Sequence, residues 1–209
     1  NDKNANLVTM SGTRIILFHM NQERVEAFKN PKGRQAIAYA INQEGIAAKI
    51  MKGFATPAAQ MSPEGYQGYN ESLTPRFDVA KAQELMKEAG YENGFEMEGH
   101  FGQFAGRPGI PEAADFISSS WEKLGVKMTW KEHDPSDFVR GFRAGVFSNV
   151  PVNLQTWGRQ DHSGVQISWY HATSGYVGMY NDKVENLFFD VTSTFDPEEM
   201  KKKLAQFED

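Results

Sequence analysis

Two rhythms of apolar residues alternate along this chain, one with the period of a helix and one with the period of a strand. Thr13 to Met20 (TRIILFHM) is a nearly continuous apolar run, the pattern of a strand buried on both faces. Asn30-Pro31 then supplies a cap and a proline for the first helical position, and Ala36, Ile37, Ala40 and Ile41 form one stripe behind them. A second helix is predicted from a cap near Asn42, with Ile46 and Ile50 a turn apart and Gly53 as its stop. From Phe54 to Phe77 the chain is rich in Pro, Gly, Ser and Tyr and has no period, which predicts a long loop.

The clearest unit is Asp78 to Glu98 (DVAKAQELMKEAGYENGFEME). Asp78 is a candidate cap, Val79, Ala82, Leu85, Met86 and Ala89 make the stripe, and Gly90 is a left-handed stop. Asn93-Gly94 makes a tight turn, and Phe95 and Met97 open a strand. A glycine- and proline-rich loop from Gly102 to Pro111 leads into a helix to Leu124, with Ala113, Phe116, Ile117, Trp121 and Leu124 on one face. After Gly125, the alternation of Val126, Met128 and Trp130 predicts another strand. Asp134-Pro135 begins a short helix carrying Phe138 and Phe142, and Val150, Val152 and Leu154 alternate again, with Pro151 indicating an edge or a bulge. Two helices are predicted near the end, from Asp182 to Thr194 (burying Val184, Leu187, Phe188 and Val191) and from Asp196-Pro197 onward. There is no internal repeat. This order predicts an α/β fold over residues 1–209, a mostly parallel sheet flanked by helices.

Composition narrows the chemistry. Hydrophobic residues at 40% allow an ordinary core, and the net charge of −5 does not provide the basic face of a nucleic-acid binder. The single basic run, Lys201-Lys202-Lys203, lies beside Glu198 and Glu199 in a predicted helix and reads as a solvated face. With no cysteine, disulfides, thiolate metal sites and cysteine nucleophiles are excluded. No apolar run approaches the roughly 20 residues of a membrane-spanning helix. The chain opens at Asn1 without methionine and stops at Asp209 inside a charged helical run, so a processed protein or a fragment is expected.

Catalytic and metal motifs are weak. The five histidines (His19, His100, His133, His162 and His171) include no i, i+4 pair and no HExxH string, so neither a metal nor another cofactor is expected. Asp161-His162-Ser163 holds triad residue types, but contiguous residues seldom converge on one reacting atom. Gly102, Gly106 and Gly109 do not form a phosphate-binding string. The segment from Trp157 to Tyr180 is different. It carries Trp157, Trp169, Tyr170, Tyr176 and Tyr180 together with Arg159 and Asp161, and no period. Such rings either wall a pocket or pack a loop onto the sheet. In a pocket, an indole beside a carboxylate suits an ammonium group.

The unit from Asp78 to Glu98 resembles a segment of the extracellular solute-binding proteins of family five, the peptide, nickel and oligosaccharide receptors of ABC importers. Further stretches are similar to that family in the same order. They are Asn30 to Asn42 with Ile46 and Gly53, Thr56-Pro57 with Pro63 to Tyr69, Trp121 to Val126, Trp157-Gly158, Asn181 to Leu187, and Asp196 to Glu199. The resemblance spans roughly residues 11 to 209. It implies the second lobe of a two-lobed periplasmic-binding-protein-like receptor, with the N-terminal lobe and a final return segment lying outside this chain. It also implies a non-enzymatic role, in which the lobes close by a hinge on a peptide or similar polar solute and the closed form docks on a membrane permease. The expected location is periplasmic, or extracellular on a lipid anchor. Trp157 matches the family residue for residue and Asp161 is carried over from its aspartate; with Arg159, Gln160 and Tyr176 of the same segment they are the expected ligand contacts. Peptide-binding members have an aspartate three residues after the tryptophan. Here that position is Gln160 and the carboxylate, Asp161, comes one residue later. An α/β enzyme with its site in the Gly102–Pro111 loop and a ligand-sensing domain of a signalling protein are the alternative readings.

Overall fold

A computed structural model of the chain describes residues 14–66, 68–102, 109–147, 150–155 and 181–208, with residues 8, 10 and 12. For 150–155 and 207–208 it describes the backbone alone. The elements in chain order are β1 (Arg14–His19), α1 (Pro31–Tyr39), α2 (Gln43–Gly45), α3 (Val79–Glu88), β2 (Glu96–Gly102), α4 (Ile110–Trp121), β3 (Lys127–His133), α5 (Pro135–Arg143), β4 (Val150–Gln155), α6 (Asp182–Thr192) and α7 (Pro197–Glu208). The α/β class expected from the alternation is the one observed.

Local chemistry starts and stops these helices. Asn30, Asp78, Asp134 and Asn181 each accept a backbone N–H of the helix that follows, from Lys32, Lys81, Ser136 and Lys183. The end of α3 is a Schellman stop in which Gly90 (φ 84°) lets the Tyr91 N–H reach back 2.8 Å to the Met86 carbonyl. The second predicted helix is less regular. After α2, with its cap on Asn42, residues Ile46–Ile50 widen into a π-helical turn that closes with the Met51 N–H on the Ile46 carbonyl. Among the described residues of 54–77 there is no helix or strand. Order there comes from side chains: the Gln60 amide both donates to the Asn70 carbonyl (2.8 Å) and accepts the Asn70 N–H (2.7 Å).

The strands form two adjoining ladders. β2 and β3 pair in parallel, with His100 opposite Lys131 and Gly102 opposite His133. β1 and β4 pair antiparallel, with Arg14 opposite Gln155 and Phe18 opposite Pro151. Of the mostly parallel pairing expected, the strands joined by the α4 crossover are the parallel pair among the described residues. The strands nearest the two ends of the described sheet region run against each other. Burial of β1 on both faces is also incomplete, because Ile16 remains 41% exposed. The start of the parallel ladder is set by two glycines in contact. Gly94 (φ 78°) lies so close to Gly125 (φ 73°) that a Cβ on Gly94 would overlap the Gly125 carbonyl, and the Lys127 N–H then bonds the Phe95 carbonyl at 2.9 Å.

The main core lies on the face of the sheet covered by α1, α3 and α4, and Trp121 is its centre. Its side chain is fully buried among Ile37, Met86, Leu124 and Val126, with Phe18 edge-on at 4.9 Å. Its indole N–H donates to the Ile37 carbonyl at 3.0 Å. That carbonyl lies in the last turn of α1, where its normal helical donor, the Ile41 N–H, has turned to Ala38 instead. Trp121 thus supplies both the apolar bulk and a missing helix-end hydrogen bond. Beyond the sheet, α6 and α7 pack on each other through Val191 and Leu204. Val184, Leu187 and Phe188, expected to be buried, are half-buried. Lys201 and Lys202 are on the solvated face as expected, but Lys203 turns inward to Asp190 (2.8 Å), Glu199 (3.4 Å) and the Thr194 hydroxyl (2.9 Å).

Trp121→Phe keeps one aromatic ring but loses the pyrrole half of the indole and leaves the Ile37 carbonyl buried without its donor, so urea denaturation should show a loss of at least about 1–3 kcal/mol. Trp121→Ala adds a cavity and should cost about 3–5 kcal/mol. Equal stability of Trp121→Phe and the parent chain would show that the hydrogen bond contributes nothing.

Candidate functional site

In open α/β sheets, ligands bind beyond the carboxyl ends of parallel strands, because the connecting loops and helix N-termini meet there. Gly102 and His133 end β2 and β3 side by side. Gly109 (φ 89°) lies at the head of α4, against the Met51 and Ile50 side chains, and Asp134 caps α5 immediately after His133. β4 ends at Gln155, opposite Arg14 of β1.

All of the expected ligand contacts (Trp157, Arg159, Gln160, Asp161 and Tyr176) lie outside the described residues, as do His162, Ser163 and His171. Of the Gly102–Pro111 loop, only Gly102 and residues 109–111 are described.

The sheet face covered by α5 carries a group that sequence reasoning missed. Alternation along β2 puts Glu98 and His100 on one face, and alternation along β3 puts Lys131 and His133 on the same face. His100 Nε2 lies 2.7 Å from Glu98 Oε1, and His100 Nδ1 lies 2.8 Å from His133 Nε2. Lys131 forms an ion pair with the other oxygen of Glu98. The Phe147 ring lies parallel to His100 at 4.4 Å and within 4.6 Å of His133. The legible signal is a Glu-x-His on one strand and a Lys-x-His on the next, a period-two repeat that a search for helical i, i+4 ligands does not detect.

Electrostatics follow from this packing. The hydrogen bond from Lys131, with help from His100, holds the Glu98 carboxyl below its usual range. Burial pushes His100 down, and Glu98 opposes the push. His19, on β1, is buried edge-on to Phe142 at 5.8 Å, and burial lowers its pKa to about 4. Among the described residues no hydroxyl is hydrogen-bonded to His100 or His133, and no three His, Asp or Glu side chains converge as metal ligands.

The depressed His19 has a definite sign. Its folded pKa is below the unfolded value of 6.5, so the unfolded chain binds the proton first as the pH falls. Its contribution should be complete above about pH 6.5 and be lost progressively toward pH 4, amounting to about 3 kcal/mol. Stability measured by urea denaturation across that range should fall less in His19→Gln than in the parent. Parallel curves would refute the assignment.

Comparison with known proteins places the chain. The family model described as "Bacterial extracellular solute-binding proteins, family 5 Middle" matches residues 1–187. The dipeptide-binding protein of Escherichia coli strain K12 is 29% identical over 153 residues, which is 71% of this chain and 28% of that protein. The glutathione-binding protein of the same strain is 38% identical over 96 residues, 45% of this chain and 19% of that protein. Among solved structures, HbpA2 from Haemophilus parasuis superposes with a TM-score of 0.86 at 27% identity, covering 97% of this chain and 41% of that one. The matched region is well under half the length of each of these proteins.

Proposed function

The chain belongs to the bacterial extracellular solute-binding proteins of family 5, and on that footing we propose that it is one lobe of the substrate-binding component of an ABC importer. This family consists of receptors, and a binding role without catalysis is our reading for this chain. The carrying observation is the family match over residues 1–187. It is supported by relatives named for a dipeptide and for glutathione. Both ligands have a free ammonium group, carboxylates and peptide amides, so the proposed ligand is a peptide or a polar solute of that kind.

The proposed contacts divide this chemistry. Trp157 offers an indole face and Asp161 a carboxylate to the ammonium group. Arg159 suits a carboxylate through paired N–H donors, Gln160 can bond a ligand amide, and Tyr176 supplies a ring with a polar tip. Asp161 follows Trp157 by four residues, so the segment must bring the carboxylate to the ammonium group by a longer turn than a spacing of three would need. Residues 1–209 are proposed to form the second lobe. A ligand touching both lobes favours the closed form by its differential affinity, and the closed form docks on the permease. The proposed location is outside the cytoplasmic membrane, in the periplasm or on a lipid anchor.

Another relative, 29% identical over 147 residues, is named heme-binding protein A in Haemophilus influenzae, so isothermal titration of the complete two-lobed protein with dipeptides, glutathione and haem tests this reading. A dipeptide or glutathione should bind, and Trp157→Ala should weaken that binding by at least about tenfold. Unchanged affinity in Trp157→Ala would overturn the pocket assignment. Binding of haem alone would overturn the ligand class.

A further inference from the structure

The Glu98, His100 and His133 side chains form a straight hydrogen-bonded chain. The two imidazole planes differ by 19°, with centroids 5.1 Å apart and facing nitrogens 2.8 Å apart. These values describe rings lying nearly in one plane and joined nitrogen to nitrogen, not rings stacked face on face. The Phe147 ring lies over the junction, nearly equidistant from both imidazoles. On its other side it fills the space where Gly141 of α5 has no Cβ, and it touches Phe138 at 5.9 Å. Phe147 is therefore a wedge between α5 and the histidine pair. Its carbonyl accepts the Asn21 side-chain N–H at 3.3 Å, and β4 begins at Val150.

Proton positions follow from donor and acceptor rules. Ionised Glu98 only accepts, so His100 Nε2 carries the hydrogen. His100 Nδ1 is then the acceptor, and His133 Nε2 must donate to it. One added proton fits on His133 Nδ1 and leaves every bond intact. A second would set N–H against N–H at the junction and place two imidazolium charges together, with the bonded carboxylate, Glu98, already shared with Lys131. The other charged groups around the layer do not relieve this. On α5, Asp134 bonds Ser136 and Asp137 pairs with Arg140. From the β1 side come buried His19 and Arg24, whose guanidinium reaches the Gly145 carbonyl at 3.5 Å.

We propose that Glu98, His100 and His133 form a proton-gated latch, closed with no more than one added proton on the histidine pair and opened by the second, which frees Phe147 and the turn that ends α5. The inference is independent of the ligand.

The test is site-resolved amide exchange on the chain between about pH 7.5 and about pH 5, where histidines titrate. The reporter is the Val146 N–H, bonded to the Gly141 carbonyl at 3.1 Å, and the internal control is the equivalent Tyr91 N–H at the end of α3. Val146 protection relative to Tyr91 should fall at least about tenfold on acidification. In His133→Gln, which keeps a side-chain donor but does not titrate, the ratio should hold. A constant ratio in the parent, or an equal fall in His133→Gln, would overturn the latch. Imidazole nitrogen NMR of the parent gives a readout that needs no variant. The latch requires the Nε2–H tautomer of His100 at neutral pH and separate titration steps for the two rings. A His100 Nδ1–H tautomer, or two coincident simple titrations, would also overturn it.

Discussion

The bond from the Trp121 indole to the Ile37 carbonyl is the constraint on which the main core depends. An α-helix leaves its last carbonyls without donors, and α1 ends inside the core, where water cannot supply them. Trp121, at the last residue of α4, meets that need while filling the space between α1, α3 and the sheet. Its ring also faces Phe18 of β1, so two helices and a strand from distant parts of the sequence meet at one side chain. Trp130 repeats the device on a smaller scale, donating to the Ser118 hydroxyl of α4 at 2.7 Å.

The two faces of the sheet are built by different means. On the α4 side, apolar side chains exclude water, and apart from the two indole hydrogen bonds the hydrophobic effect holds the layers together without demanding particular partners. On the α5 side, ionisable groups lie beneath aromatic rings, and each needs a specific partner to be tolerated. A face of the first kind is insensitive to pH. A face of the second kind is not, because its hydrogen bonds depend on which nitrogen carries a proton. The chain thus joins an apolar scaffold to a layer of hydrogen-bonded ionisable groups next to the strand ends, where binding chemistry in this class of fold is placed.

Much of the element plan was legible in the residues. Asn30, Asp78 and Asp134 were readable as caps because a cap bonds a backbone N–H only two or three residues away. Gly90 was readable as a stop because its left-handed conformation is also a local property. The expected ligand contacts, which lie outside the described residues, rest on the aromatic composition of the Trp157–Tyr180 segment and on family resemblance. The segment around Trp157 has no period, so no spacing rule says which side of it faces a partner. The histidine pair could not be found by helical spacing, since its members lie in different strands, 33 residues apart in sequence.

The sequence alone determined the capped helix starts and the Gly90 stop, the α/β alternation, and the absence of thiol chemistry, all of which depend on residue type or on neighbours a few positions apart. Only the tertiary structure decided that β1 and β4 run antiparallel, that Trp121 completes α1, and that His100 and His133 share a hydrogen bond. Strand register is chosen by contacts between segments far apart in the chain, here including two glycines whose missing side chains let the backbones touch. No local pattern in either segment encodes the position of the other.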